Sequence, residues 1–192
     1  MRDNESPMTF KTNNIKQTGK FFLAVIFCLL FRLLPFRAPN IEPILATIMP
    51  LGRAYGALTG FAFSILSVLL YDLLTGTMGV HTFFTAGAFG LLGFWAGSYF
   101  KNRKGTVADY VRFAVVGTLF FDAATGLFLG PIFYGQSFSA AFFGQIPFTA
   151  LHLSGNIIFA ITLSPIFYRF FVRQRESEIS ISIIRPLEPK II

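Results

Sequence analysis

The sequence predicts an all-α integral membrane protein: a compact bundle of six transmembrane helices with N- and C-termini cytoplasmic. Three observations predict it. Of the 192 residues 54% are hydrophobic and only 13% are charged, with a mean hydropathy of +0.63. Soluble domains carry about 25% charged residues, so this chain lacks the polar side chains to cover a globule. Its apolar runs recur at the length of a bilayer crossing, and a span of about 20 residues lets the chain hold roughly five to seven of them. Its lysines and arginines collect in alternate connections, as the excess of basic residues in cytoplasmic loops requires.

This composition argues against a soluble enzyme, a disordered chain and a disulfide-stapled secreted domain, and it leaves no room for a soluble domain of about 100 residues. Cys28 is the single cysteine and lies in an apolar run, so no intrachain disulfide is expected. A net charge of +7 could suggest nucleic acid, but topology accounts for the excess, and no nucleic-acid partner is expected.

The apolar segments fall at 21–35, 41–52, 54–74, 81–100, 108–129 and 138–172. The first follows a long polar stretch and has no small-x-small cleavage site after it, so it reads as a retained helix and not a signal peptide. The second contains Pro43 and Pro50 and is the weak point: its 12 residues reach only about 18 Å against a core of about 30 Å. It must be tilted, re-entrant or shielded by its neighbours. Residues 1–20 read as a cytoplasmic tail, 21–172 as the membrane domain and 173–192 as a second cytoplasmic tail. Orientation follows from charge: 14 of the 16 basic residues lie in these tails, at Arg53 or Arg169, or around Lys101 to Lys104 and Arg112, and only Arg32 and Arg37 fall on the other side. Both termini on one face require an even number of spans, so charge favours crossing by 41–52.

Asp72-Leu-Leu-Thr-Gly76 in the third segment recurs as Asp122-Ala-Ala-Thr-Gly126 in the fifth, both at the outer ends of outward-running helices. Ionisable residues inside spans are costly and usually face a cavity or a partner. Arg32, Arg37, Glu42, Asp72, His81, Asp122 and His152 all map to the outer half. Asp72 and Asp122 lie near predicted helix C-termini, where the macrodipole is already negative, so each needs a cation or several donors or else takes up a proton, with Arg32 and Arg37 as internal candidates and a positively charged or donor-rich ligand as the functional alternative. The bland alternative is that these carboxylates only tie down their own loops.

Gln145, Thr149, His152 and Asn156 follow at steps of four, three and four, on one helical face. Ser64, Ser67, Tyr71 and Thr75 form a second such stripe, and Thr118, Asp122 and Thr125 a third. They read either as interhelical hydrogen-bond seams or as the walls of one pocket open to the outside, and the shared leaflet favours the pocket. Gly52, Gly56 and Gly60, and Ala86, Gly90, Gly93 and Gly97, are small residues at spacings that let helices approach closely.

No G-x-x-x-x-G-K-[ST] appears, so ATP hydrolysis by the P-loop route is not expected. No H-E-x-x-H or Cys/His cluster suggests a metal, and no cofactor is expected. His152 and Ser154 point about 200° apart on a helix and cannot act as base and nucleophile, which disfavours an enzyme.

The stretch Arg32-Leu-Leu-Pro-Phe-Arg-Ala-Pro-Asn40-Ile-Glu-Pro43 resembles the first loop of substrate-binding S components of energy-coupling-factor transporters. Pro50-Leu-Gly-Arg-Ala-Tyr-Gly56-Ala-Leu-Thr-Gly60, Asp72 to Gly76, Gly90-Leu-Leu-Gly-Phe-Trp-Ala-Gly97, and His152-Leu-Ser-Gly-Asn156 with Pro165 are similar too, so the resemblance covers about residues 20–172. It implies a six-helix subunit in the bacterial cytoplasmic membrane that takes a vitamin or related micronutrient from outside. Its partners would be a transmembrane coupling subunit and two ATPases, besides membrane lipid. Transferred by position, it implies a substrate site of Arg37, Asn40, Glu42, Asp72, Asp122, His152 and Asn156. The family's alanines four apart on the first helix are matched only by Ala24 and Cys28. Gly56 through Asp72 to Gly79-Val-His81 also resembles small membrane proteins of the rod-shape-determining system, which implies a scaffold of cell-wall synthesis as the alternative.

Overall fold

The computed structural model describes residues 7–38 and 40–173, with side chains from Ile15 to Val172, and is all-helical over them. In chain order the helices are α1 (Pro7–Arg32), α2 (Ile44–Tyr55), α3 (Ala57–Thr75), α4 (Val80–Phe100), α5 (Val107–Asp122), α6 (Phe128–Phe133) and α7 (Phe138–Tyr168). A π turn, Ala123–Leu127, carries α5 into α6 without a break, and a second, Arg169–Arg173, ends α7. Four helical stretches are long and apolar enough to cross a membrane: α3, α4, the continuous Val107–Phe133, and Phe138–Val172.

The short second segment is the centre of the molecule. Ten of the 12 residues of α2 are buried, enclosed by α3, α4, α5 and α7. This is how a helix too short for a bilayer is accommodated: protein, not lipid, surrounds its ends. Pro50 inside α2 cannot donate to the carbonyl of Ala46. That carbonyl accepts the Ser164 hydroxyl of α7 instead, at 3.0 Å, so the backbone group freed by proline is satisfied by a neighbouring helix. Gly56, at φ 92°, turns the chain between α2 and α3 in a conformation that disfavours any residue with a Cβ.

Glycine sets the tightest contacts. A Cβ added at Gly52 would stand 2.8 Å from the Gly97 nitrogen, and one at Gly60 would run into the Gly93 carbonyl. Gly52, Gly60, Gly93 and Gly97 of the expected stripes are thus close-approach positions, whereas Gly56 has open space around it. Gly52 and Gly60, however, sit on different helices, α2 and α3, and both pack on α4.

Neighbouring contacts fix helix directions. Arg32 meets Ser67 and Phe21 meets Phe63, so α1 and α3 run parallel. Phe89 meets Phe121 and Phe100 meets Tyr110, so α4 and α5 are antiparallel. The C-termini of α1 and α3, the N-termini of α2 and α4, Asp122 and the first half of α7 therefore share one end. At the opposite end lie Lys20 against Phe170, Arg53 against Tyr168, and Arg103 against Tyr99 and Asp109. Thr106 and Asp109 form a reciprocal cap that starts α5 there.

Three boundaries differ from expectation. Residues 7–20, read as a tail, are helical and continuous with the first apolar run. The second helix begins after Pro43, which stands at its N-cap, and ends at Tyr55. The fifth does not end near residue 129 but reaches Phe133 through the π turn. Arg2, Arg175, Arg185 and Lys190 lie outside the described residues.

Candidate functional site

The α5 and α7 stripes face each other across the antiparallel pair. His152 Nδ1 lies 2.7 Å from Asp122 Oδ1, and Asn156 Nδ2 donates to Thr118 Oγ1 at 2.8 Å. All four residues are at most 2% exposed. With Asp122 ionised, Nδ1 carries the proton and donates it, which fixes the imidazole tautomer. Phe121 and Phe148 pack edge-on against the imidazole, at 5.5 and 5.9 Å between centroids, and hold its plane. Even so, Asp122 Oδ2, His152 Nε2 and Asn156 Oδ1 are buried with no hydrogen-bond partner among the described residues. Three orphaned polar atoms in one seam exceed what a packing contact needs, because each costs free energy when dry.

Beside this seam a cleft of about 410 Å³ opens between α5, the π turn and α7, within the size range of small-molecule sites. Leu119, Ala123, Leu127, Phe142, Ile146 and Ala150 form its apolar walls, and Asp122, Gln145 and Thr149 are its polar lining. His152 and Asn156 stand behind Asp122. Gln145 Nε2 donates to Thr149 Oγ1 at 3.2 Å, and the Gln145 amide occupies the space that a Cβ at Gly126 would need. The π turn lies directly after Asp122. Such single-turn insertions often mark functional sites, and here the turn contributes Ala123 and Leu127 to the wall.

The remaining candidates form a second cluster, on α1, α3, α4 and the 33–43 loop. Arg32 is its hub: Nε pairs with Glu42 Oε2 at 3.0 Å, Nη1 donates to the Ser67 carbonyl at 3.3 Å, and the guanidinium lies 3.9 Å above the Tyr71 ring. Arg37 Nη1 donates to the Ile41 carbonyl at 3.0 Å and Asn40 takes a positive φ of 63°, so both shape the loop. Asp72 Oδ2 lies 3.9 Å from His81 Nε2.

The seven predicted site residues therefore divide. Asp122, His152 and Asn156 form one group with Thr118; Glu42, Arg37, Asn40 and Asp72 belong to the loop side. Among the described residues no hydrogen bond or ion pair joins the two clusters. The arginines do not serve Asp72 and Asp122 as expected: Arg32 takes Glu42, and Asp122 takes His152. Nor do three polar stripes share one pocket. Ser64 donates to the Gly60 carbonyl, and Tyr71 faces Arg32, so the α3 stripe belongs to the loop cluster.

The two copies of the repeat also part company. Gly76 caps α3 at φ 69°, whereas Gly126 lies inside the π turn and is spared a side chain by Gln145. Asp122 is thus not at a helix end. The spacing of Gln145 and Thr149 puts them on the same helical face as His152, but nothing in it marks them as site residues. The apolar wall residues carry no sequence signal that separates them from lipid-facing positions.

No group of three or more His, Cys, Asp and Glu side chains that could hold a metal stands together among the described residues. In comparison with known proteins, no family model, no curated protein and no solved structure matches the chain.

Proposed function

We propose that this chain is the substrate-binding membrane subunit of an energy-coupling-factor-type transporter, which captures a vitamin or related micronutrient from outside for ATP-driven uptake by partner subunits. One observation carries the reading: a buried Asp122–His152–Asn156 seam with unpartnered atoms, bordering a ligand-sized cleft in an otherwise apolar bundle. A scaffold has no need of such atoms, since leaving them dry costs stability. All six apolar segments cross or fill the bacterial cytoplasmic membrane, with α2 shielded by its neighbours. The basic end faces the cytoplasm together with both termini, as the distribution of lysine and arginine favours. The cleft then lies in the outer half. Asp122, Gln145 and Thr149 contact substrate, His152 and Asn156 support Asp122, and the Arg32–Glu42 cluster with Arg37, Asn40 and Asp72 holds the outer loop.

The chain works with a transmembrane coupling subunit and two ATPases. A pull-down of the tagged protein from its native membranes in mild detergent, read by mass spectrometry, tests this. Recovery of a coupling subunit with two ATPases is expected. Recovery of cell-wall elongation proteins in their place would replace the transporter reading with the scaffold.

A further inference from the structure

The cleft has one chargeable lining residue, Asp122, and no lysine or arginine. An anionic ligand would meet a buried carboxylate there with nothing to neutralise its own charge. Asp122 lines the cleft, and its Oδ2 is buried with no hydrogen-bond partner among the described residues. A carboxylate oxygen accepts and cannot donate, and a buried charge is expensive unless it is paired. Of the other two orphaned atoms in the seam, Asn156 Oδ1 is an acceptor, and so is His152 Nε2 while the imidazole is neutral with its proton on Nδ1. The unmet demand is for N–H donors carrying positive charge.

The walls ask for something different. Leu119, Phe142 and Ile146 are half-exposed on the outer surface of the α5–α7 pair, so the cleft opens sideways, where the apolar flank of the bundle meets lipid, and not only at the bundle's end.

We propose that the cleft binds an amphipathic organic cation, with an ammonium or amidinium head on Asp122 Oδ2 and an apolar body along Leu119, Phe142 and Ile146. This rests on the functional reading above only in taking the cleft as the binding site. Gln145 and Thr149 supply polar contacts at the neck of the head group. His152 is a positioning residue, since its bond to Oδ1 leaves Oδ2 to the ligand.

The test uses the full chain in nanodiscs and three fluorinated probes of matched shape: a phenethylammonium, the neutral phenethyl alcohol and the anionic phenylpropionate. Fluorine NMR titration measures their affinities. The cation should bind about tenfold or more tightly than the alcohol, as expected for a hydrogen bond between charged groups, and the anion least. Asp122→Asn keeps the shape and the acceptor for His152 but removes the charge, and should erase the preference for the cation. Ala150→Phe fills the cleft from its lipid-facing wall without touching the seam, and should abolish binding of the cation. If Asp122→Asn does not insert, the order of the three probes and the Ala150→Phe blockade decide by themselves. Equal binding of cation and alcohol, or cation binding that survives Ala150→Phe, overturns the proposal. The pull-down reads partners and the titration reads charge, so either can fail while the other holds.

Discussion

His152 Nδ1 and Asp122 Oδ1 stand 2.7 Å apart, 30 residues apart in sequence, and join two antiparallel helices through a contact that is closed to solvent. One turn away, Asn156 donates to Thr118 across the same α5–α7 interface. Asp122 also lines the cleft, so a single hydrogen bond links helix packing to the candidate site.

Removing one partner leaves the other buried and unpaired. Asp122→Ala and His152→Ala should each weaken ligand binding while the protein remains inserted. Each should destabilise the folded state by about 1–3 kcal/mol, and the double variant by less than the sum of the two. Thermal unfolding in detergent, together with probe titration, measures both effects. Strict additivity would show that the two side chains are not coupled.

The repeat glycines should fail for different reasons. Gly76→Ala places a Cβ at φ 69° and should cost about 1 kcal/mol, whatever its neighbours. Gly126→Ala should instead displace the Gln145 amide and weaken binding at the cleft, and the second change Gln145→Ala should restore the fold stability lost by Gly126→Ala. A Gln145→Ala change that rescued Gly76→Ala equally would contradict this assignment.

The α3–α4 contact depends on glycine at both faces. Gly93→Val puts branched carbon against the Gly60 backbone and should destabilise the bundle by about 1–3 kcal/mol or more, visible as a loss of the monodisperse peak in size-exclusion chromatography. Gly87→Val, on the same helix with open space around its Cβ position, should leave the peak in place.

Arg32 acts through geometry as well as charge. A lysine at that position keeps the charge but cannot reach Glu42, the Ser67 carbonyl and the Tyr71 face together. Arg32→Lys should therefore loosen the 33–43 loop, read as faster amide hydrogen exchange at Ile41 and Glu42, with the Asp122 cleft unaffected. Slowed or unchanged exchange would show that the loop is held by other contacts.

The sequence by itself determined that the apolar stretches become helices and that Glu42, Asp72 and Asp122 share one end of the bundle. Span length, hydropathy and the distribution of lysine and arginine are local or additive properties, so they can be read along the chain. The α7 stripe was legible for the same reason: Gln145, Thr149, His152 and Asn156 share a face by helical geometry alone. Only the tertiary structure decided which stripe that face meets. By charge, Arg32 and Arg37 were the internal candidates for Asp122, and His152 was not among them. Direction and helix order bring His152 within 2.7 Å of it and commit Arg32 to Glu42. The two Asp-x-x-Thr-Gly copies make the same point. Identical spacing ends one helix at Gly76 and lies in a π turn at Gly126, where Gln145 of the neighbouring helix packs against the second copy. A pairing between helices depends on distances through space, and those exist only once the chain has folded.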